Sequence, residues 1–390
     1  MQINDIIIAV FWILIYLPIH SYFIYPATIK ILSKLNIDKS QHNSNETENV
    51  SILLSLFNEE KVIENRIENI SKLNFEFDKL EVIVGSDAST DNTNLILSKL
   101  EKKYDWLKVF YFNERRGKAR VLNDLVKHSS NEILVFTDAN TVFEKEALQN
   151  LCSGFYKKSI GGVSGRLVLL EPEGKIKNAN EERRYWTYET MIKKAEGRCG
   201  TLIGANGGIF AIRKYLFEKF PDKIPLTDDL YITIIVLSKN KNFIFNDSAV
   251  AFEETAPTVK AEFKRKIRFS STNFQTLVYF GIILKNVGFL TNYCYLSHKI
   301  IRWIVPIILI ILIPLNLMIY EVSQVYAIIF YVQIIFYSLA SIGFILSSLD
   351  YRIIFFSLPY FFLITNMAIL LGFFRFITGK HTGIWQSTPR

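Results

Sequence analysis

Four short stretches in the first half of this 390-residue sequence hold side chains suited to polar chemistry, and each follows directly on an apolar run. After Val50–Leu56 comes Phe57-Asn58-Glu59-Glu60, where Asn58 or Glu59 can cap a helix. After Leu80–Val84 the chain reads Ser86-Asp87-Ala88-Ser89-Thr90-Asp91. A carboxylate there can accept from a nucleobase N–H or a ribose hydroxyl, and Thr90 or Asp91 can cap the next helix. After Lys108–Phe112, Arg115-Arg116-Gly117-Lys118-Ala119-Arg120 sets four cations around one glycine, ahead of Asn123. That pattern fits a phosphate site at a helix N-terminus or solvated surface charge. After Glu132–Phe136, Thr137-Asp138-Ala139-Asn140 offers a carboxylate and, two residues on, an amide oxygen. These are two hard ligands for a divalent cation that also holds diphosphate.

One such cluster says little, but four at the same end of successive strands define a site. The apolar runs read as strands, each followed by a helical stretch of about a dozen residues, and that alternation builds a mainly parallel sheet covered by helices. In such sheets the functional groups gather at the carboxyl ends of the strands.

Outside this segment the composition changes. Apolar residues make up 50 % of the chain at a mean hydropathy of +0.20, too apolar for a disordered chain, while 45 Lys+Arg and 37 Asp+Glu are too many for a pure membrane bundle. The two compositions are segregated. Ile6–Ala27 is apolar for about one bilayer thickness, lacks the basic leader and cleavage site of a signal peptide, and reads as an uncleaved anchor. Lys30, Lys34 and Lys39 follow it and place the next domain in the cytoplasm of a plasma (inner) membrane protein. Asp38–Glu48 reads as a polar linker.

Ala261–Phe280 sets Lys264, Arg265, Lys266 and Arg268 against Phe263, Ile267, Phe269 and Phe274, the pattern of a helix lying in the membrane interface. Apolar blocks follow near Ile300–Ile319, Val325–Leu346 and Ile353–Phe374, with a polar turn at Ser347–Arg352. Three crossings leave the basic tail Lys380–Arg390 outside. Either the last block is re-entrant or a further crossing lies near Leu277–Leu296. The net charge of +8 is dispersed beside apolar runs, so it points to lipid headgroups or an anionic substrate and not to nucleic acid. Cys152, Cys199 and Cys294 are odd in number and far apart, which argues against a disulfide scaffold or a zinc site.

These motifs resemble those of the inverting, membrane-anchored glycosyltransferases of family 2, the group of cellulose and hyaluronan synthases. The first acidic loop is similar to D-D-G-S-T-D and keeps its second carboxylate as Asp87; Gly117-Lys118-Ala119-Arg120-Val121-Leu122-Asn123 matches G-K-A-x-x-L-N. Asp138-Ala139-Asn140 stands for D-x-D with its second carboxylate replaced by an amide. Gly204-Ala205-Asn206-Gly207-Gly208-Ile209-Phe210-Ala211-Ile212-Arg213 is similar to the glycine-rich acceptor-side strand, where tight packing explains the glycines as readily as sugar approach does. Thr227-Asp228-Asp229 resembles T-E-D, and Thr227 or Asp228 can also cap a helix there. Arg265-Lys266-Ile267-Arg268-Phe269 takes the place of Q-R-x-R-W with only Arg268 identical, and Trp385-Gln386-Ser387-Thr388-Pro389-Arg390 is similar to W-x-x-T-x-R.

The resemblance implies an α/β fold of the GT-A type, a Rossmann-like nucleotide-diphospho-sugar transferase domain flanked by transmembrane helices. The expected divisions are an anchor at 1–34, the catalytic domain at 49–258, interfacial helices at 259–298, membrane helices at 299–376 and a tail at 377–390. It also implies Asp229 as catalytic base. Asp87, Lys118, Asp138 and Arg268 would hold the nucleotide-sugar, expected to be a UDP-sugar, and Gly207, Asp228 and Phe269 the acceptor. Asp138 and Asn140 would hold Mg²⁺ or Mn²⁺. The expected partners are a lipid-linked saccharide or growing polysaccharide and membrane lipids, in cell-surface polysaccharide assembly. The rival reading is a nucleotide-sensing membrane transporter or receptor, which would need neither Asp229 nor the glycine-rich stretch. No G-x-x-x-x-G-K-[ST] loop is present, which excludes an ordinary P-loop ATPase.

Overall fold

A computed structural model describes residues 3–35, 48–170, 179–255, 258–349, 351 and 353–380. The expected linker apart from Glu48, residues 350 and 352 of the expected turn, and the 385–390 motif lie outside the described residues.

The chain enters through α1 (Ile3–Ile19), a π-helical turn (His20–Ile24) and α2 (Tyr25–Leu35). It then alternates as expected: β1 (Val50–Leu56), α3 (Ile63–Ser71), β2 (Leu80–Asp87), α4 (Thr93–Lys103), β3 (Leu107–Phe112), α5 (Lys118–His128) and β4 (Ile133–Phe136). Along β1, Ile52 and Leu54 face one layer and Leu53 the other, the period-two alternation of a strand covered on both sides. One layer is made with α3 and α4 through Ile63, Ile67 and Leu97, the other with α5 through Val121 and Leu125.

The sheet continues through β5 (Thr141–Phe143), α6 (Ala147–Ser153), β6 (Ile160–Leu170), α7 (Ala179–Arg198), β7 (Phe210–Arg213), α8 (Asp228–Ser238) and β8 (Asn242–Glu254). The strand order is β3-β2-β1-β4-β7-β6-β8-β5. Its β1–β4 half is parallel, as expected, and so is the β6–β8 ladder, but β7 runs antiparallel to β4 and β6, and β5 antiparallel to β8, so the mainly parallel sheet carries antiparallel members in its second half. The short β5, three residues after Asp138, has no helix before it to carry a parallel crossover. Of the expected glycine-rich strand only Phe210–Arg213 is extended; Gly204–Gly208 forms the turn that leads into it.

Beyond the sheet come α9 (Val259–Phe280), α10 (Phe289–Cys294), a second π-helical turn (Tyr295–Ile300), α11 (Ile301–Ile319), α12 (Gln324–Ser348) and α13 (Ile354–Ile377). Among the described residues, four stretches are long and apolar enough to cross a membrane: Asp5–Leu35, Phe289–Ile319, Gln324–Ser348 and Ile354–Ile377. The second begins at Phe289 and not near Ile300, because α10 and the π turn run unbroken into α11, and Leu277–Leu296 forms no candidate span of its own. The expected lipid-facing side of α9 is partly covered by protein: Phe274 is 4 % exposed and packs on Trp303, Phe373 and Phe376. A Cβ at Gly372 would lie 2.4 Å from Ser270 Cβ, so only glycine lets α13 approach α9 this closely.

Candidate active site

Asp87 ends β2 and is 2 % exposed. Its Oδ1 accepts the Arg116 N–H at 2.6 Å and its Oδ2 the Gly117 N–H at 2.8 Å. Gly117 adopts φ 83°, which turns these two consecutive amides toward one carboxylate before α5 begins. Beside it the Arg115 guanidinium lies 3.2 Å from the centre of the Phe57 ring and 3.7 Å from Asp87. Asp87 thus builds the loop that displays the cations. An open cleft starts here, lined by Ser55, Phe57, Asp87, Arg115, Lys118, Asp138 and Asn140.

Lys118, the first residue of α5, spans the cleft: its Nζ lies 2.7 Å from Asp138 Oδ1 and 2.7 Å from Asp228 Oδ2. Burial alone would lower the lysine, but the two carboxylates outweigh it and hold the ammonium well above its ordinary range. Asp228 is correspondingly held below its usual range, Lys118 overcoming the burial that pushes it up. The expected acceptor residue Asp228 turns its side chain to Lys118. Under Asp138 lies Arg66, 1 % exposed, donating to Thr137 Oγ1 at 3.0 Å and to Asn69 Oδ1 at 2.7 Å. Burial lowers Arg66 to about 9, against the pull of Asp138.

Asn140 donates from Nδ2 to Glu253 Oε1 at 3.1 Å, which directs its amide oxygen away from that carboxylate. Among the described residues no group of three or more His, Cys, Asp or Glu side chains is placed to hold a metal ion. Asp138 and Asn140 alone would thus hold a divalent cation only if a diphosphate supplied the remaining oxygens.

Asp229, in the first turn of α8, accepts the Leu230 N–H at 2.7 Å. Burial, then the neighbouring Asp228, push its carboxyl up to about 6, against Lys193 and Lys118. A Cβ on Gly207 would lie 3.7 Å from Asp229 Oδ2, so the space between them is left open by the missing side chain. Thr227 occupies the N-cap position but makes no cap; its hydroxyl reaches α9, donating to Asn273 Oδ1 at 2.8 Å or to Thr272 Oγ1 at 3.0 Å, and its N–H donates to Thr276 Oγ1 at 3.0 Å. That junction fixes α9, which carries Arg268 and Phe269. Burial, then Arg265 and Arg375, lower Arg268, while Asp138 acts against them. Phe269 is 42 % exposed, with the Arg268 guanidinium 5.2 Å from its ring centre.

The structure thus brings Asp87, Lys118, Asp138, Asn140, Asp228, Asp229 and Gly207 to one end of the sheet, with Arg268 and Phe269 approaching from α9. Sequence reasoning missed Arg66, Glu253 and Lys193. None lies in a recognisable motif; each meets the site only through tertiary packing.

A mixed sheet with a carboxylate pair and a lysine at its strand ends defines a nucleotide-diphospho-sugar transferase fold of the GT-A class. Residues 51–220 match the family model described as glycosyl transferase family 2. The probable glycosyltransferase YdaM of Bacillus subtilis is 26 % identical over 315 residues, 70 % of this chain and 73 % of that protein. The poly-beta-1,6-N-acetyl-D-glucosamine synthase of Staphylococcus epidermidis is 24 % identical over 277 residues, 70 % of this chain but only 64 % of the synthase. Among solved structures, the mannosyltransferase PcManGT from Pyrobaculum calidifontis, in complex with GDP-Man and Mn²⁺, superposes with a TM-score of 0.69 over 95 % of this chain and 99 % of its own, at 19 % identity. Residues 51–220 are thus similar to glycosyltransferase family 2 domains, and the enzyme class is that of the glycosyltransferases.

Proposed function

We propose that this protein is an inverting glycosyltransferase that moves a sugar from a UDP-sugar to a hydroxyl of a lipid-linked saccharide or growing polysaccharide, in cell-surface polysaccharide assembly. Its catalytic domain faces the cytoplasm of a plasma (inner) membrane crossed by the four candidate spans. The observation that carries the reading is the Asp229 carboxyl, pushed up to about 6 and facing the gap left by Gly207, across from the Lys118–Asp138 pair. A base of that strength is mostly ionised at neutral pH and still able to take a proton.

Asp229 takes the proton of the acceptor hydroxyl, and the oxygen attacks the anomeric carbon from the face opposite the leaving nucleoside diphosphate, so one displacement inverts the configuration. Lys118 and Arg268 face the diphosphate and offset the charge that gathers on it. Phe269 offers the acceptor sugar an exposed aromatic face. Asp87 shapes the nucleoside end of the cleft through Arg116 and Gly117. Asp138 and Asn140 would hold Mg²⁺ or Mn²⁺, which when bound supplies further positive charge to the leaving group. The Mn²⁺ and GDP-Man in the mannosyltransferase support a metal and a nucleotide-sugar donor, and the N-acetylglucosamine synthase supports a saccharide acceptor.

Membranes containing the protein, incubated with a panel of radiolabelled nucleotide-sugars, test this reading. Incorporation of label from a UDP-sugar with stoichiometric UDP release is expected. Binding of UDP-sugars without transfer would instead identify a sensor.

A further inference from the structure

Resting on the reading of Asp229 as the base, we propose that Lys193 is a positioning residue of the acceptor side: it fastens the turn that sets Gly207 opposite Asp229 and presents its charge to that carboxylate. Lys193 lies on α7, 7 % exposed, and its Nζ donates to Asn206 Oδ1 at 2.7 Å and to the Ala205 carbonyl at 3.3 Å. Asn206, 3 % exposed, is locked from the sheet as well, its N–H donating to Ser164 Oγ at 3.0 Å and its Nδ2 to the Gly165 carbonyl at 2.7 Å. From the other side, Ala205 N–H donates at 3.2 Å to Thr233 Oγ1, whose hydroxyl donates at 2.6 Å to the Asp229 carbonyl. The turn before Gly207 is therefore tied to α8 through Thr233 and to α7 through Lys193, and its position relative to Asp229 is set by both.

The charge on Lys193 is not needed for this fastening. Both acceptors are neutral oxygens, which a buried amide donor would satisfy with a far smaller desolvation penalty than an ammonium. The charges that face Lys193 are Lys299, Asp229, Glu189 and Glu196; those that face Asp229 are Asp228 on its own helix, Lys193 on α7 and Lys118 on α5. Lys193 is thus the cation that reaches Asp229 from the acceptor side, whereas Lys118 is already shared between Asp138 and Asp228. Burial, then Lys299, lower Lys193 to about 8, so it remains mostly charged at neutral pH.

The test is the pH dependence of kcat for the full-length protein in nanodiscs, with the UDP-sugar that supports incorporation, beside UDP binding by calorimetry. Lys193→Gln keeps donors for Asn206 and Ala205 but removes the charge. It is expected to move the acid limb up by about one pH unit and leave UDP affinity unchanged, and Lys193→Arg is expected to bring the limb back. A Lys193→Gln enzyme that loses rate equally at every pH, with the limb unmoved, overturns the proposal. Should Lys193→Gln fail to bind UDP, Lys193→Met is read in the same way, and loss of UDP binding in both would assign Lys193 to the fold and overturn it too. Failure of the underlying reading looks different: Asp229→Asn would then retain turnover.

Discussion

Asp228 and Asp229 are neighbours in the chain with opposite electrostatic settings. Asp228 accepts an ion pair from Lys118 at 2.7 Å and is held below the ordinary carboxylate range, while Asp229 is pushed up to about 6. Adjacent residues at the start of α8 thereby differ in how readily they give up a proton, and the ionised Asp228 helps keep its neighbour basic.

The first prediction concerns that base. Asp229→Asn is expected to lower turnover by about a thousandfold while UDP binding, measured by calorimetry, stays close to wild type. Substantial residual turnover would sink the assignment.

The same carboxyl links activity and stability to pH. Turnover at saturating substrate should rise as pH increases through about 6, where Asp229 ionises. Stability runs the other way. A carboxyl whose folded value is raised contributes fully below its unfolded value and loses that contribution as pH climbs through about 6. Asp229→Asn should therefore melt higher than wild type at pH 7.5, by at most about 3 kcal/mol, and match it near pH 4. Equal melting of the two proteins at both pH values would contradict this.

Lys118→Met leaves Asp138 and Asp228 facing each other without their shared ammonium. UDP affinity is expected to fall by about tenfold or more, with a loss of stability of about 1–3 kcal/mol that added salt partly restores. An unchanged UDP isotherm would remove Lys118 from the donor site.

Asn140→Asp tests the shared cation site. The new carboxylate would stand beside Glu253, whose Oε1 now accepts from Asn140 Nδ2 at 3.1 Å. Without metal the variant should melt lower than wild type, by about 1 kcal/mol. Mn²⁺ should raise its melting temperature more than it raises that of wild type. A variant insensitive to Mn²⁺ in the presence of UDP argues against a metal at Asp138.

Thr227→Val cuts the hydroxyl link from α8 to Thr272 and Asn273 on α9. The expected cost is about 1–2 kcal/mol, with a fall in kcat because α9 carries Arg268, and Thr227→Ser should recover both. Wild-type kinetics for Thr227→Val would mean that α9 holds its place without this junction.

What the sequence made legible were features encoded locally. The clusters around Asp87, Lys118 and Asp138 could be placed because each follows a run of β-branched or aromatic residues, and β1, β3 and β4 begin and end within a residue of expectation. The mixed half of the sheet was not legible, because strand direction in β5 and β7 depends on long-range partners. Thr227 has the residue type and position of a helix cap, but only the arrival of α9 shows where its hydroxyl goes. Lys193 carried no signal at all: a lysine in a charged helix reads as solvent-facing until the Asn206 turn is folded over it. Likewise the apolar side of α9 looked ready for lipid because nothing in its own spacing announces α13.

The two π-helical turns, His20–Ile24 and Tyr295–Ile300, meet where the first two candidate spans reach the catalytic domain: His20 Nε2 lies 2.9 Å from Ser297 Oγ, and Ser21 Oγ donates to the Ser297 carbonyl at 2.6 Å. Each carries an extra residue, and one residue is about 100° of helical rotation. Below the first turn Tyr25 points at Glu196 of α7; at the second, His298 bridges Glu189 and Glu196, and Arg302 pairs with Glu189 just beyond. The bulges act as a change of phase, so that one continuous rod shows apolar side chains to its surroundings along one part of its length and polar side chains to the enzyme along the next. A one-residue deletion inside either turn would leave composition and length nearly untouched while rotating every later side chain out of step with its partner.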